Sequence, residues 1–375
     1  MFLLETVLYI ICGLYLGEFL FFAWGIRRAN SKAHNEDDGH PRVSVIVAAR
    51  NEERNISACL EALVAQTYPE GKFEIIAVND ESEDATYTLM DQASRQSDGR
   101  IRVITTTSDT SGVIGKAKAI AQGVDVATGE IILLTDADCT PPPTWVASTV
   151  SRFTHSVDVV AGFTIVKATS LFTELQQLDW LHLQAIAAAS MAFGSPVGVV
   201  GNNMGFRRDA YEQVGGYRNV RFSMTEDFAL FLEFHRRRCG IRYVCDFESR
   251  IITAPCPDLQ AVLRQKHRWS RGGMESTLHG YSILVVAFFM LCAFCIAPFI
   301  SLLVWAVVWG SKFVADLLFL LPVLRKLRTL RSLRSFLPFQ FYFIAQALVV
   351  PLMLLNPNVR WKGRVFATNE KSVGI

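Results

Sequence analysis

The sequence lacks the glycine signatures of the commonest nucleotide-binding folds. No Gly-x-Gly-x-x-Gly occurs, and Gly112-Val-Ile-Gly-Lys116 is too short for a phosphate loop and has no Ser or Thr after its lysine. Dinucleotide and ATP chemistry therefore lose ground. A charge imbalance is missing too: 37 Lys and Arg stand against 35 Asp and Glu, so no basic face is available for nucleic acid, and that partner is set aside. There is no disulfide framework. Cys59, Cys139, Cys239, Cys245 and Cys256 are scattered, which suits a reducing compartment, while Cys12, Cys292 and Cys295 fall in apolar runs without the His or acidic partners a metal site needs. No cleavable leader is legible, because the N-terminal apolar run has no basic start, carries Glu5 and Glu18, and lacks a small-residue cleavage site. Repeats and low-complexity tracts are absent.

Apolar residues are plentiful, at 51% of the 375, and the excess is localised. Phe2 to Ile26, Tyr281 to Trp309, Phe313 to Leu324 and Phe336 to Leu355 are nearly all apolar, each allowing one or more membrane passes of about 20 residues. Residues 1–28 read as an uncleaved anchor followed by Arg27, Arg28 and Lys32, and residues 29–41 as a polar linker. A soluble domain is expected over 42–273, a C-terminal membrane region over 274–358 with about three segments, and a tail over 359–375. Two passes are expected between Tyr281 and Leu324, broken near Pro298 or at Gly310 to Lys312. Arg325, Lys326, Arg328, Arg331 and Arg334 then form a basic loop that the positive-inside rule places in the cytoplasm with the soluble domain. The last apolar segment either spans or re-enters, and the basic tail from Arg360 to Arg364 favours the side of the basic loop.

The soluble middle alternates short β-rich runs with helical stretches: VSVIVAA at 43–49, FEIIAVND at 73–80, IRVIT at 101–105 and the Ile131 to Leu134 run, with helical patterns between them. Four strand-helix units predict a mostly parallel sheet, with Asn51 and Ser82 as helix N-caps and a further strand over VDVVAGFTIV at 157–166. Leu171 to Phe193 is a long helical stretch, lying either against the membrane face or within the domain. The Ile131 strand ends in Asp136-Ala137-Asp138 and three prolines, which cannot continue pairing. Two carboxylates are thus delivered to a strand's carboxyl end, where open α/β sheets bind ligands. They read either as a site for a hard cation holding phosphate oxygens or as a polar turn.

Several landmarks follow one another in order: Ala49-Arg50-Asn51-Glu52, the acidic turn from Asn79 to Asp84, Gly115-Lys116, the Asp136 and Asp138 pair, Gly201-Asn202-Asn203 with Arg207-Arg208, Glu226-Asp227, and Gln265-Lys-His-Arg268-Trp269. From Val43 to Gly273 this series resembles the membrane-integrated branch of the family-2 glycosyltransferases. The resemblance implies an α/β fold of the GT-A nucleotide-diphospho-sugar transferase type, with one N-terminal and about three C-terminal membrane helices. It also implies a nucleotide sugar as donor, with a UDP-sugar favoured, and Mg²⁺ or Mn²⁺ as cofactor. Asn79 and Ala48 depart from the usual Asp and Pro, which leaves the base open.

On this resemblance Asp80 would meet the base or ribose, with Ala48 and Asn51 on the opposite wall. Asp138 would hold the metal, and Asp136 the ribose or the metal through water. Lys116 and Arg268 would add positive charge at the diphosphate as the glycosidic bond breaks, with Gln265 at the family spacing and Trp269 as a flat wall for sugar or acceptor. Asp227 would be the general base of an inverting displacement. Glu226 reads as structural, Arg207 and Arg208 as surface charges, and Asn202 and Asn203 as shaping an acceptor pocket. The expected product is a glycolipid or glycosylated carotenoid, made by moving one sugar to a lipid hydroxyl at a bacterial plasma membrane, with the catalytic domain cytoplasmic. Alternatives are a processive polysaccharide synthase and a silent nucleotide-sugar-binding protein.

Overall fold

The computed structural model describes residues 2–29, 40–109, 111–361 and 364–367. Most of the linker expected at 29–41 and most of the tail lie outside them. The described chain opens with helix α1 (Phe2–Ala29) and enters the sheet domain through strand β1 (Val43–Ala49), helix α2 (Ile56–Val64), β2 (Phe73–Asn79), α3 (Thr86–Gln96), β3 (Ile101–Thr105) and α4 (Gly115–Val126). It continues through β4 (Ile131–Asp136), β5 (Cys139–Thr140), α5 (Trp145–Val150), β6 (Val159–Gly162), β7 (Thr164–Val166), α6 (Leu171–Met191), β8 (Met204–Arg207), α7 (Arg208–Gln213) and α8 (Gly216–Asn219). Helix α9 (Glu226–Arg236), β9 (Ile241–Val244), β10 (Ile251–Thr253) and α10 (Leu259–Gly273) complete the domain. Three apolar helices follow, α11 (Leu278–Ile296), α12 (Leu302–Lys326) and α13 (Phe336–Met353), then the hairpin β11 (Asn358–Trp361) and β12 (Arg364–Ala367).

Seven strands form the main sheet in the order β3-β2-β1-β4-β8-β6-β9. The first four are mutually parallel, as the alternation in sequence predicts; β8 is then inserted antiparallel between β4 and β6. Strands β1 and β4 are buried along nearly their whole length because helices cover both faces, hence their continuous Val, Ile and Leu runs. Each aliphatic side chain sealed there, such as Val45, Ile46 or Leu133, contributes about 1.5–3 kcal/mol. The run at 157–166 is two strands, not one. It breaks at Phe163, and β7 leaves the main sheet to join β5 and β10 in a small second sheet.

Asn51 and Ser82 do not cap helices, which begin later, at Ile56 and Thr86. Asn51 takes the left-handed conformation (φ 53°), and its side-chain oxygen accepts the Glu83 N–H at 2.9 Å while its own N–H donates to Ser82 Oγ at 3.2 Å. Their polar groups are spent in lacing two loops together, so the helix ends lie beyond them. Arg207 and Arg208 are not surface charges either. Arg207 donates to the carbonyls of Val157, Phe153 and Thr154, and Arg208 to those of Gly129, Val124 and Ala127, closing chain ends around β8.

Among the described residues, four helical stretches are long and apolar enough to cross a membrane: Phe2–Ala29, Leu278–Phe299, Leu302–Lys326 and Leu330–Met353. The first break falls at Pro298, as expected; Gly310 and Lys312 lie inside α12. The α11–α12 corner is exposed at Phe299 and Leu302, as is the start of α1 at Phe2. Helix α6, buried along most of its length, lies between the sheet domain and α1, α12 and α13. Its approach to α1 is close: a Cβ at Gly25 would sit 2.7 Å from the Ala189 carbonyl oxygen.

Helix α13 differs from the other three. The chain entering it is bound to α6, through Glu174 with Arg334 and Ser335 and through Gln177 with Ser332. The chain leaving it is bound to α10, where Arg271 donates to the Asn356 carbonyl at 2.7 Å and His267 Nε2 lies 3.0 Å from the same oxygen. The segments flanking α13 are thus held to two helices of the sheet domain, α6 and α10.

Candidate active site

Strand register builds one wall of the site. Ala48 on β1 stands opposite Asp136 on β4, and Ala49 opposite Asn79 on β2, so Arg50, Asp80, Asp136 and Asp138 arrive together at the carboxyl rim. Asp80 is buried, with Oδ1 at 3.4 Å from Thr106 Oγ1 and 3.9 Å from Lys118 Nζ. Arg50 reaches across and donates to the Asp80 carbonyl at 2.8 Å. Asn51 does not line the cavity; its side chain is engaged in the loop lacing described above.

Gly115-Lys116 opens α4 and aims the ammonium at the rim. Lys116 Nζ lies 2.5 Å from Asp136 Oδ1 and 3.5 Å from Glu226 Oε1. Burial works against its charge, but Asp136, Glu226 and Asp227 outweigh that and hold the proton on. Asp138 is pushed up to about 6 by burial first, then by Asp136 and Glu52, with Lys116 opposing. Glu52, which the sequence reading passed over as a site residue, is therefore part of the acidic rim.

These carboxylates suit a hard divalent ion. Among the described residues, no group of three or more His, Cys, Asp or Glu is arranged to hold a metal. Two carboxylates then leave most of the coordination sphere to phosphate oxygens and water, which is how Mg²⁺ is commonly held at diphosphates. Asp136 already carries Lys116, so Asp138 is the freer ligand of the two.

Asp227, in the first turn of α9, forms the facing wall. Its Oδ2 accepts the Gly201 N–H at 2.7 Å and its Oδ1 the Phe228 N–H at 2.8 Å, fixing the carboxylate. The close approach requires glycine: a Cβ at 201 would fall 2.5 Å from that of Asp227. Burial, then Glu226, raises Asp227 to about 6, against the pull of Lys116. Such a carboxyl is a base near neutral pH and a stronger one than an exposed Asp.

Helix α10 supplies the third wall. Arg268 donates to the Met224 carbonyl at 3.4 Å, and the Trp269 ring meets Trp180 edge-on at 4.9 Å between centroids. Beneath them Lys266 and Asp179 form a buried ion pair of 2.5 Å that ties α10 to α6. Neither member stands out in sequence, since the pair joins residues 87 positions apart. Asn202 accepts from Thr164 Oγ1 at 2.7 Å and lines the cavity, whereas Asn203 is a clamp, accepting from Trp145 Nε1 and donating to the Phe163 and Ser249 carbonyls.

All three walls enclose one cavity of about 1200 Å³. It begins at Ala48, Asp80, Lys116, Asp136 and Asp138, passes Asp227, Gln265, Arg268 and Trp269, and continues to Leu284, Phe288 and Leu291 of α11 and Phe343, Ala347 and Val350 of α13. Of the residues expected at the donor, metal, catalytic and acceptor positions it gathers all but Asn51 and Asn203.

Sequence profiles agree with this geometry. The profile for glycosyl transferase family 2 matches residues 44–215, and that for glycosyl transferase family group 2 matches residues 131–355. The chain belongs to the family-2 glycosyltransferases. Among curated relatives, a probable glycosyltransferase, YdaM, of Bacillus subtilis is 30% identical over 244 residues, 64% of this chain and 56% of its own length. A beta-monoglucosyldiacylglycerol synthase of Nostoc sp. is 26% identical over 248 residues, 65% of this chain and 52% of its own. The chain thus spans about half the length of these relatives. The GT-A fold is shared with the mannosyltransferase PcManGT of Pyrobaculum calidifontis, solved with GDP-Man and Mn²⁺, at a TM-score of 0.61 and 20% identity over 94% of this chain and 99% of that one.

Proposed function

We propose that this enzyme transfers a single sugar, with inversion, from a nucleotide-diphosphate sugar to a hydroxyl of a membrane lipid. The carrying observation is the single cavity that joins the acidic strand rim to the apolar faces of α11 and α13. A nucleotide sugar suits the first end and an amphiphile the second, and Asp227 lies between them. The names of the Nostoc and Pyrobaculum proteins, a glucolipid synthase and a sugar-nucleotide enzyme bound to Mn²⁺, support both halves of this reading.

In the proposed reaction Asp80 and Ala48 line the nucleoside end, with UDP as the favoured carrier. A divalent ion on Asp138 and Asp136, when bound, supplies Lewis-acid neutralisation of the diphosphate. Lys116 and Arg268 supply fixed positive charge as the bond from the anomeric carbon to the phosphate oxygen breaks and its electron pair leaves with the nucleoside diphosphate. The acceptor oxygen attacks from the opposite face and its proton passes to Asp227. Gln265 and Trp269 shape the wall beside the sugar. The enzyme sits in the plasma membrane with its catalytic domain in the cytoplasm, which agrees with the basic loop at 325–334 being tied to α6.

The test is transfer from a panel of labelled nucleotide sugars by membranes carrying wild type or Asp227→Asn, with and without chelator, followed by extraction and sizing. A single-sugar, organic-soluble product that is lost in the variant and with chelator is expected. A labelled ladder or insoluble polymer would replace this reading with a processive synthase.

A further inference from the structure

The membrane end of the cavity holds polar atoms that the proposed reaction does not use. His182 of α6 is only 1% exposed, yet neither ring nitrogen has a hydrogen-bond partner among the described residues. It sits among Phe19, Phe319, Phe339 and Phe343, with ring centroids 5.0–6.1 Å away. The nearest carboxylate, Asp316 Oδ1, stays 3.9 Å off and is engaged elsewhere. It takes the Tyr15 hydroxyl at 2.8 Å, while Asp316 Oδ2 takes Lys312 Nζ at 2.6 Å. Lys312 also donates to Gln340 Oε1 at 2.8 Å. Glu18 Oε2 and Gln346 Nε2 are likewise buried without partners, and both residues line the same cavity as His182. Buried polar atoms without partners are rare and costly, and more so where lipid replaces water.

The composition of this cluster restricts what would satisfy it. Imidazole offers one donor and one acceptor, Gln346 a donor and Glu18 an acceptor, a mixture that suits a group able to both donate and accept. The two lysines beside it are already paired, Lys312 with Asp316 at 2.6 Å and Lys266 with Asp179 at 2.5 Å, so neither ammonium is left over for a phosphate. Position follows from helix geometry. Gln184 of α6 holds Thr164, which holds Asn202, next to the Gly201 that fixes Asp227. His182 is two residues from Gln184, hence on nearly the opposite face of α6, away from the strand that Gln184 touches.

We infer that this cluster binds a second, uncharged hydroxyl of the acceptor lipid, at the membrane end of the same cavity and apart from the hydroxyl that is glycosylated. The acceptor is therefore a neutral amphiphile with two separated hydroxyl-type groups, not a polyprenyl phosphate and not a simple alcohol. This rests on the lipid-acceptor reading above and makes it more specific.

The test compares octadecanol, an octadecanediol with its second hydroxyl at mid-chain, and undecaprenyl phosphate, using the full chain in detergent with its preferred nucleotide sugar. Wild type is expected to favour the diol over octadecanol by about tenfold in kcat/KM, the worth of one or two hydrogen bonds, and the ratio should fall to about one in His182→Phe and to an intermediate value in Glu18→Gln. Thermal stabilisation by the diol, present in wild type and absent in His182→Phe, reads the same contact without transfer. A wild-type ratio near one, a preference for undecaprenyl phosphate, or a His182→Phe loss equal for both alcohols would overturn the proposal. Diol stabilisation without transfer to any lipid would instead overturn the lipid-acceptor reading and leave the site standing.

Discussion

The two ends of the cavity treat charge in opposite ways. At the strand rim Asp136, Asp138, Glu226 and Asp227 crowd around one ammonium, Lys116, so negative charge is left over for an incoming cation and a proton. At the membrane end Lys312 and Lys266 are matched with Asp316 and Asp179, and what is left over is the imidazole of His182, the amide of Gln346 and a single carboxyl, Glu18, in an aromatic surround. The first environment suits polarised phosphate chemistry; the second suits recognition without charge. A carboxylate held near pKa 6 illustrates the cost of the first arrangement, because folding must suppress an ionisation that catalysis requires.

The largest expected effect sharpens that contrast. Asp227→Asn should lower transfer by about 10³-fold while leaving donor affinity near wild type, measured by single-turnover transfer and nucleotide-sugar binding. The same variant should melt at a higher temperature in apo protein above pH 6, because its amide needs no ionisation in a buried site. Next, Lys266→Met would leave Asp179 buried and unpaired and should cost about 3 kcal/mol, read by thermal unfolding in detergent. Adding Asp179→Leu should recover much of that loss, which would show that the pair places α10 rather than carrying chemistry.

At the strand-rim end, pH acts on rate and on stability with opposite sign. With Asp227 raised to about 6, kcat/KM should fall tenfold per unit below that pH as the base becomes protonated. Apo stability should move the other way. Between the ordinary carboxylate pKa near 4 and about 6 the folded state binds more protons than the unfolded one, so stability declines as pH rises through that window. A pH-rate curve beside a pH series of melting temperatures checks both slopes. The smallest effect is expected from Phe343→Ala, which should raise the acceptor KM severalfold with the donor KM unchanged. Equal changes in both constants would break the division into two ends.

The parallel half of the sheet was legible because buried strands announce themselves as apolar runs, and β1, β2, β3 and β4 fall where those runs are. Asp136, Asp138, Asp227 and the Arg268-Trp269 pair were legible through their order along the chain. The second half of the sheet was legible only in the 157–166 run that holds β6: β8 and β9 are four residues each, and nothing local says that β8 enters antiparallel between distant partners. Asn51 reads as a helix cap because a cap and a cross-loop acceptor use the same side chain, and only the neighbouring loop decides. The membrane cluster was beyond reach for the same reason, since Tyr15 and Asp316 meet across 301 positions.

A helix held to the catalytic domain at both ends has a mechanical consequence. With Arg334 bound to Glu174 before α13 and Arg271 bound to Asn356 after it, the cavity wall that Phe343, Ala347 and Val350 form is free at neither end. On the proposed reading an acceptor lipid then enters past the sides of α13, because the helix cannot lift away as a flap.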